Sequence, residues 1–197
     1  MDPAVAFQIP QLLFENKNSG YSATLFHNAE TKEYVIAFAG TDDLHDWTHV
    51  NIPQNFGLSS YQYQNAISLG NIAGRNIPGV TFVGHSLGGG LASAAVSNSS
   101  GSGGAFTFNA AGLNKATLER YGGTFQRAKD LTQHWRYSKD PLTDLEGSYI
   151  GSKLLDEAVG DCETLLPIDD SKNPLHNHSI DTLIDALKST VKQFNCK

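Results

Sequence analysis

Apolar and polar positions along the chain follow two periods, one of strands and one of helices. Residues 21–27 and 33–39 are β-rich runs on either side of a polar turn at 28–32, and they predict an antiparallel hairpin. Residues 61–75 carry Tyr63, Ala66, Ile67 and Gly70 on one side of a predicted helix. Pro78-Gly79 breaks the chain before residues 80–83, a short apolar strand of the fully buried kind. A second helix is predicted over 87–96, where alanine and glycine leave a surface suited to close packing on a sheet. Residues 98–104 form a flexible connector; no lysine follows and no helix opens there, so it is no phosphate-cradling loop. Further strands are predicted at 105–109 and 134–138, with a helical turn at 117–121 between them. The last element is the clearest. Ile180, Leu183, Ile184, Leu187, Val191 and Phe194 fall at helical spacing behind Ser179 as N-cap, with Asp181 early and Lys188 and Lys192 late, as the helix dipole favours. Strands alternating with helices predict an α/β fold: a mostly parallel sheet with an N-terminal antiparallel hairpin and helices on both faces.

Length and charge narrow the partners. A chain of 197 residues suits one domain spanning 1–197. No run approaches the roughly 18 consecutive apolar residues of a membrane span. Twenty acidic against fourteen basic residues give a net charge of −6, which argues against nucleic acid and against electrostatic docking on anionic lipid. Transient contact with a membrane surface through an apolar patch remains open. The opening Met1-Asp2-Pro3-Ala4 lacks the charged and apolar regions of a signal peptide, so export without such a signal, excision from a longer protein and a cytoplasmic location all stay open. Cys162 and Cys196 are either two thiols or one disulfide, the latter implying an oxidising destination.

One pentapeptide carries chemistry. Gly84-His85-Ser86-Leu87-Gly88 fits Gly-x-Ser-x-Gly and lies between the buried strand at 80–83 and the small-residue helix at 87–96, the setting of a nucleophile elbow. The glycines are needed because the serine is held in a strained turn, where flanking side chains would strike the helix and strand. Such a turn lifts the Ser86 hydroxyl above the carboxyl edge of the sheet and sets the Leu87 N–H at a helix N-terminus, where it can stabilise an oxyanion. Without that chemistry, the same pattern is a glycine-rich turn with an idle serine.

Serine needs a base and an orienting carboxylate, in the chain order Ser, Asp or Glu, His. Downstream histidines are His134, His176 and His178. His134 opens a predicted strand, whereas His178 lies in a loop just before the last helix and is favoured; His176, two residues away, could face the same way. Asp140 is the favoured acid, because it follows the strand at 134–138 and Pro141 keeps it extended at the carboxyl edge. Thr41, just past the strand at 33–39, can supply the second oxyanion donor. A metal site built on His176-x-His178 with Asp169 or Asp170 lacks both HExxH and a third nearby histidine.

In these motifs the sequence resembles the class 3 lipase family of α/β-hydrolases, from about residue 21 to residue 187. The resemblance rests on Ile36-Ala37-Phe38-Ala39-Gly40-Thr41-Asp42, Asp46-Trp47, Thr81-Phe82-Val83-Gly84-His85-Ser86-Leu87-Gly88-Gly89 and Phe108-Asn109-Ala110-Ala111-Gly112-Leu113. Tyr137-Ser138-Lys139-Asp140-Pro141-Leu142 and His178-Ser179-Ile180-Asp181 complete it. It implies an α/β-hydrolase fold with Ser86 as nucleophile, Asp140 as acid, His178 as base, and Thr41 with Leu87 at the oxyanion hole. Two departures stand out: family members often carry Arg where Ala39 stands and Ala where Gly90 stands. Residues 108–113 with Thr117-Leu118-Glu119-Arg120 look most like bacterial members, including lipase-type toxins delivered against neighbouring bacteria.

The resemblance also implies a lid over residues 42–60, where Leu44, Trp47 and Phe56 would line an acyl groove. A surface loop with its own small core is the plainer reading of those residues. The expected activity is that of a lipase or phospholipase: a serine hydrolase cleaving lipid esters through an acyl-enzyme, with no cofactor and no metal. A toxin role would add secretion or delivery into another cell, such as the periplasm of a target bacterium, and an immunity or chaperone protein as partner. The alternative is a hydrolase-fold binding module that has lost catalysis.

Overall fold

The predicted hairpin forms as β2 (Tyr21–His27) and β3 (Tyr34–Phe38), antiparallel, with Ala23 opposite Phe38 and His27 opposite Tyr34. The computed structural model describes residues 7–40, 60–142, 149–150, 153–154, 158–167, 169 and 171–195. Among them, β1 (Glu15–Asn16), β4 (Thr81–His85), β5 (Gly104–Phe108), β6 (Thr132–Tyr137) and β9 (Asp161–Leu165) join the hairpin in a seven-stranded sheet. Its order is β1-β2-β3-β4-β5-β6-β9; β1 to β3 pair antiparallel, and every pair from β3 to β9 is parallel. This is the mostly parallel α/β-hydrolase-like sheet expected. A separate antiparallel pair is formed by β7 (Tyr149–Ile150) and β8 (Lys153–Leu154).

Helices cover both faces. On one, α1 (Ser60–Asn76) and α2 (Leu87–Val96) bring Ala66, Ile67, Leu91, Ala92 and Ala95 against Ile36, Phe38, Phe82 and Ala105 of the sheet. The hydrophobic run of α2 is buried along its whole length, so it gains stability from packing that its glycines deny it through propensity. On the opposite face α6 (Ile180–Asn195) lays Leu183 and Ala186 against Tyr137 and Leu165. The Ser179 hydroxyl caps α6 by accepting from the Thr182 N–H at 3.2 Å, as its position predicted.

The structure departs from the sequence reading in several places. The apolar stripe of α6 is only partly inward: Ile180 and Ile184 each keep 38% of their surface exposed, while Thr182 is buried. The side chains of Val191 and Phe194 lie outside those described. The strand expected at 80–83 runs on through Gly84 and His85, so Ser86 stands directly at its end. The helical turn at 117–121 is a helix, α3 (Lys115–Arg120), capped by the Asn114 side chain accepting from the Thr117 N–H at 2.9 Å. Helix α4 (Phe125–Leu131) and strand β9 were not predicted. The first is too short to show a period, and the second carries polar residues on an edge, so neither has a hydrophobic signature. Cys162 lies in β9; Cys196, Thr41 and residues 42–59 of the expected lid fall outside the described residues, while Ser60 opens α1.

Close approach of α1 and α2 is paid for in side-chain volume at Gly70, where an added Cβ would sit 2.0 Å from the Ala95 carbonyl oxygen. Gly70→Ala should therefore destabilise the fold by about 1–3 kcal/mol in urea denaturation, although alanine is the better helix former. An unchanged midpoint would show that the two helices can part without cost.

His134 of β6 lies in the core, its Nδ1 3.0 Å from the Thr107 hydroxyl. Burial, aided by Arg136, pushes this imidazole down to about 4 from 6.5. The unfolded chain then binds a proton that the native chain refuses, so the stability His134 contributes is complete above about pH 6.5 and is lost as pH falls toward 4. His134→Asn, which keeps a polar partner for Thr107, should reduce the acid-side loss of unfolding free energy by roughly 3 kcal/mol. Parallel pH–stability curves for the two proteins would refute this.

Candidate active site

Strand β4 delivers Ser86 to the carboxyl edge of the sheet in a backbone conformation that L-residues rarely adopt, φ 58° and ψ −129°. Contact dictates the flanking glycines. A Cβ on Gly84 would lie 2.1 Å from the Gly88 carbonyl oxygen, and one on Gly88 would lie 2.3 Å from that of Phe38. The strained turn is locked on both sides of the peptide. The Ser86 N–H donates to the Phe108 carbonyl at 3.0 Å, and the Ser86 carbonyl accepts from the N–H groups of Gly89 at 3.0 Å and Ala111 at 2.9 Å.

The Ser86 hydroxyl, itself buried, lies 2.8 Å from His178 Nε2. His178 Nδ1 lies 2.5 Å from Asp140 Oδ1, and both side chains are fully buried. With its proton on Nδ1, the imidazole donates to the carboxylate and accepts from the serine hydroxyl. Three residues far apart in sequence are thus brought into one hydrogen-bonded chain, in the order Ser86, His178, Asp140.

Each is set by its local structure. Asp140 follows β6 in a tight turn, its N–H donating to the Tyr137 carbonyl at 2.9 Å, while the Ser138 N–H donates to Leu165 of β9 at 3.0 Å. His178 does not lie in a loop, as the sequence suggested. It ends a short helix, α5 (Pro174–His178), whose N-cap Asn173 accepts from the Leu175 N–H at 3.0 Å and whose first residue is proline. Five residues are too few for a visible helical period.

The other candidates separate. His176 faces outward to Asp169, at 2.8 Å between its Nε2 and the carboxylate, and both side chains are exposed. The Asp169 carboxyl is held below its usual range by the Ser171 N–H and then by His176. His176 and His178 therefore do not converge on a common point, and Asp170 lies outside the described residues. His134 is in the core. Leu87 opens α2 immediately after the serine. Thr41, Leu44, Trp47 and Phe56 lie outside the described residues. Their described neighbour Gly40 passes close by: a Cβ added there would lie 3.5 Å from Ser86 Cβ.

Two residues at the site escaped sequence reasoning. His85 Nε2 approaches the His178 carbonyl oxygen at 2.7 Å, and its ring lies against that of His178 with centroids 4.8 Å apart. Burial, followed by the neighbouring His178, pushes the His85 imidazole down to about 4, so it donates there as a neutral ring. Asn109 is the other, a buried polar residue with φ 41° directly after β5. Its signal was its place in the motif at residues 108–113, as a carboxamide between apolar neighbours, to which no role was given. The glycine at position 90 also finds its reason, since a Cβ there would lie 2.5 Å from the Tyr63 hydroxyl.

The family model of a Tle-like phospholipase domain, phospholipase-like, matches residues 6–167. An extracellular phospholipase A1 of Serratia liquefaciens is 34% identical over 201 residues, which take in 93% of this chain and 60% of that protein. The chain thus spans about 60% of the length of the relative it matches. With the sheet, the elbow and the sequence match in agreement, the chain belongs to the Tle-like phospholipase domain family.

Proposed function

We propose that this chain hydrolyses carboxylic esters of phospholipids through a covalent acyl-enzyme on Ser86. The hydrogen-bonded run from Ser86 Oγ to His178 at 2.8 Å and on to Asp140 at 2.5 Å carries this reading. His178 Nε2 takes the hydroxyl proton as Ser86 Oγ attacks the ester carbonyl carbon, and the carbonyl oxygen becomes an oxyanion. The same imidazole passes that proton to the departing glycerol oxygen. Water then enters, gives a proton to His178, and attacks the acyl-serine; the proton returns to Ser86 as the fatty acid leaves. Asp140 holds the ring and stabilises the imidazolium at each stage.

The oxyanion is held by the Leu87 N–H at the head of α2 and by Thr41. Approach of Gly40 to Ser86 supports the second donor, because Thr41 is the next residue in the chain. The Serratia relative's name supports phospholipid as the substrate class, the first acyl position as the point of cleavage, and work outside the producing cell. Delivery as a secreted effector, with an immunity or chaperone protein as partner, is the cellular setting we propose, with residues 42–60 as a lid over the acyl groove.

Mass-spectrometric lipid profiling after incubation with phosphatidylcholine and phosphatidylethanolamine vesicles tests the reading. Wild type should release fatty acid and lysophospholipid; Ser86→Ala should fold normally and lose at least ~10³-fold in turnover. A fluorophosphonate probe should label the wild type and not the variant. Unlabelled wild type with no lipid product would leave the hydrolase-fold binding module as the better account.

A further inference from the structure

The end of β5 and the residues after it contact Ser86, His178 and the strand that leads to Asp140 without supplying a member of the hydrogen-bonded chain. The Phe108 carbonyl accepts from the Ser86 N–H at 3.0 Å, and the Ala111 N–H donates to the Ser86 carbonyl at 2.9 Å. Between these two contacts lies Asn109, whose own N–H donates to the Trp135 carbonyl in β6 at 2.8 Å. Its side chain reaches further. Oδ1 accepts from the Tyr137 N–H at 2.8 Å, three residues before Asp140, and Nδ2 donates to the His178 carbonyl at 3.5 Å.

That His178 carbonyl receives a second donor, His85 Nε2, at 2.7 Å. Asn109 therefore bridges the strand that carries the acid and the residue that carries the base, while its neighbours hold the nucleophile. Its backbone is left-handed, φ 41°, a conformation that costs most residues free energy and that asparagine tolerates better than others. A buried carboxamide held there must satisfy both its ends or lose stability. Both are satisfied, and each by an element bearing a member of the site.

We propose that Asn109 is a positioning residue for the Ser86 reaction: its carboxamide, with His85 on the same carbonyl, sets the distance and angle between His178 and Asp140. The assignment rests on the hydrolase reading above. It does not touch the substrate, so its loss acts on turnover rather than on binding. Small displacements are expensive in this geometry, because a misplacement of about 1 Å can cost about 10²-fold in rate.

Asn109→Gly separates the side chain from the backbone, since glycine adopts the left-handed conformation freely. Three readouts are needed for wild type and variant: thermal melting, kcat and KM on short-chain phosphatidylcholine, and the rate of fluorophosphonate labelling. The variant should fold and keep KM within about 2-fold, while kcat and the labelling rate both fall about 10- to 100-fold. Asn109→Asp keeps the acceptor for Tyr137 but turns an oxygen toward the His178 carbonyl, and should lose at least as much kcat. Wild-type kcat in either folded variant would overturn the proposal. So would loss of the fold in both, which would make Asn109 a stability residue alone. A wild type that neither hydrolyses phospholipid nor takes up the probe would instead defeat the hydrolase reading.

Discussion

The peptide at Ser86 cannot relax, and much of the architecture around it exists to keep it so. A non-glycine residue at φ 58° and ψ −129° costs on the order of 1–3 kcal/mol. Hydrogen bonds to Phe108, Gly89 and Ala111 offset that cost, each by about 1 kcal/mol. The bonds to Phe108 and Ala111 form because β5 lies beside β4 in parallel register, with His85 opposite Phe108. The sheet is thus the frame that supplies partners for a turn no isolated strand–helix pair could hold.

Close approach is the second half of that constraint. α2 must start within the same residue that ends the turn, and its first glycines meet the backbone of the neighbouring strand and loop. Gly88 against Phe38, and Gly84 against Gly88, leave no room for a methyl group. Gly70 extends the same logic outward, letting α1 seat on α2. The layer therefore packs to a depth set by small residues, and the larger core side chains, Ile36, Phe82 and Leu91, fill the space between.

Burial then shapes the chemistry. Ser86, Asp140 and His178 are all withdrawn from bulk water, which strengthens each hydrogen bond among them. His134 is likewise withdrawn and His85 is partly so, and burial pushes both imidazoles down to about 4. The difference lies in where their nitrogens point: His134 meets Thr107 inside the sheet layer, whereas His85 meets the backbone of His178.

Much of this was legible in the residues. Strand-to-helix alternation announced the α/β sheet, the pentapeptide announced the elbow, and Asp140 followed from a strand end and a proline. Short or polar elements were not legible: α4, α5 and β9 have too few residues or too little hydrophobic contrast to show a period. Sequence position favoured His178 over His176 but left the second open, because two residues apart they share one chemistry. Periodicity and local stereochemistry act within a few residues, and the chain itself determined what they govern: the order of elements, the strained serine and the place of Asp140 just past a strand end. Which histidine turns inward, and that an asparagine after β5 reaches both Tyr137 of β6 and the His178 carbonyl, was decided only by tertiary structure. Those contacts join residues 28 and 69 positions apart; the parallel register of β5 and β6 brings the first within hydrogen-bonding distance, and the seating of α5 beside β5 brings the second.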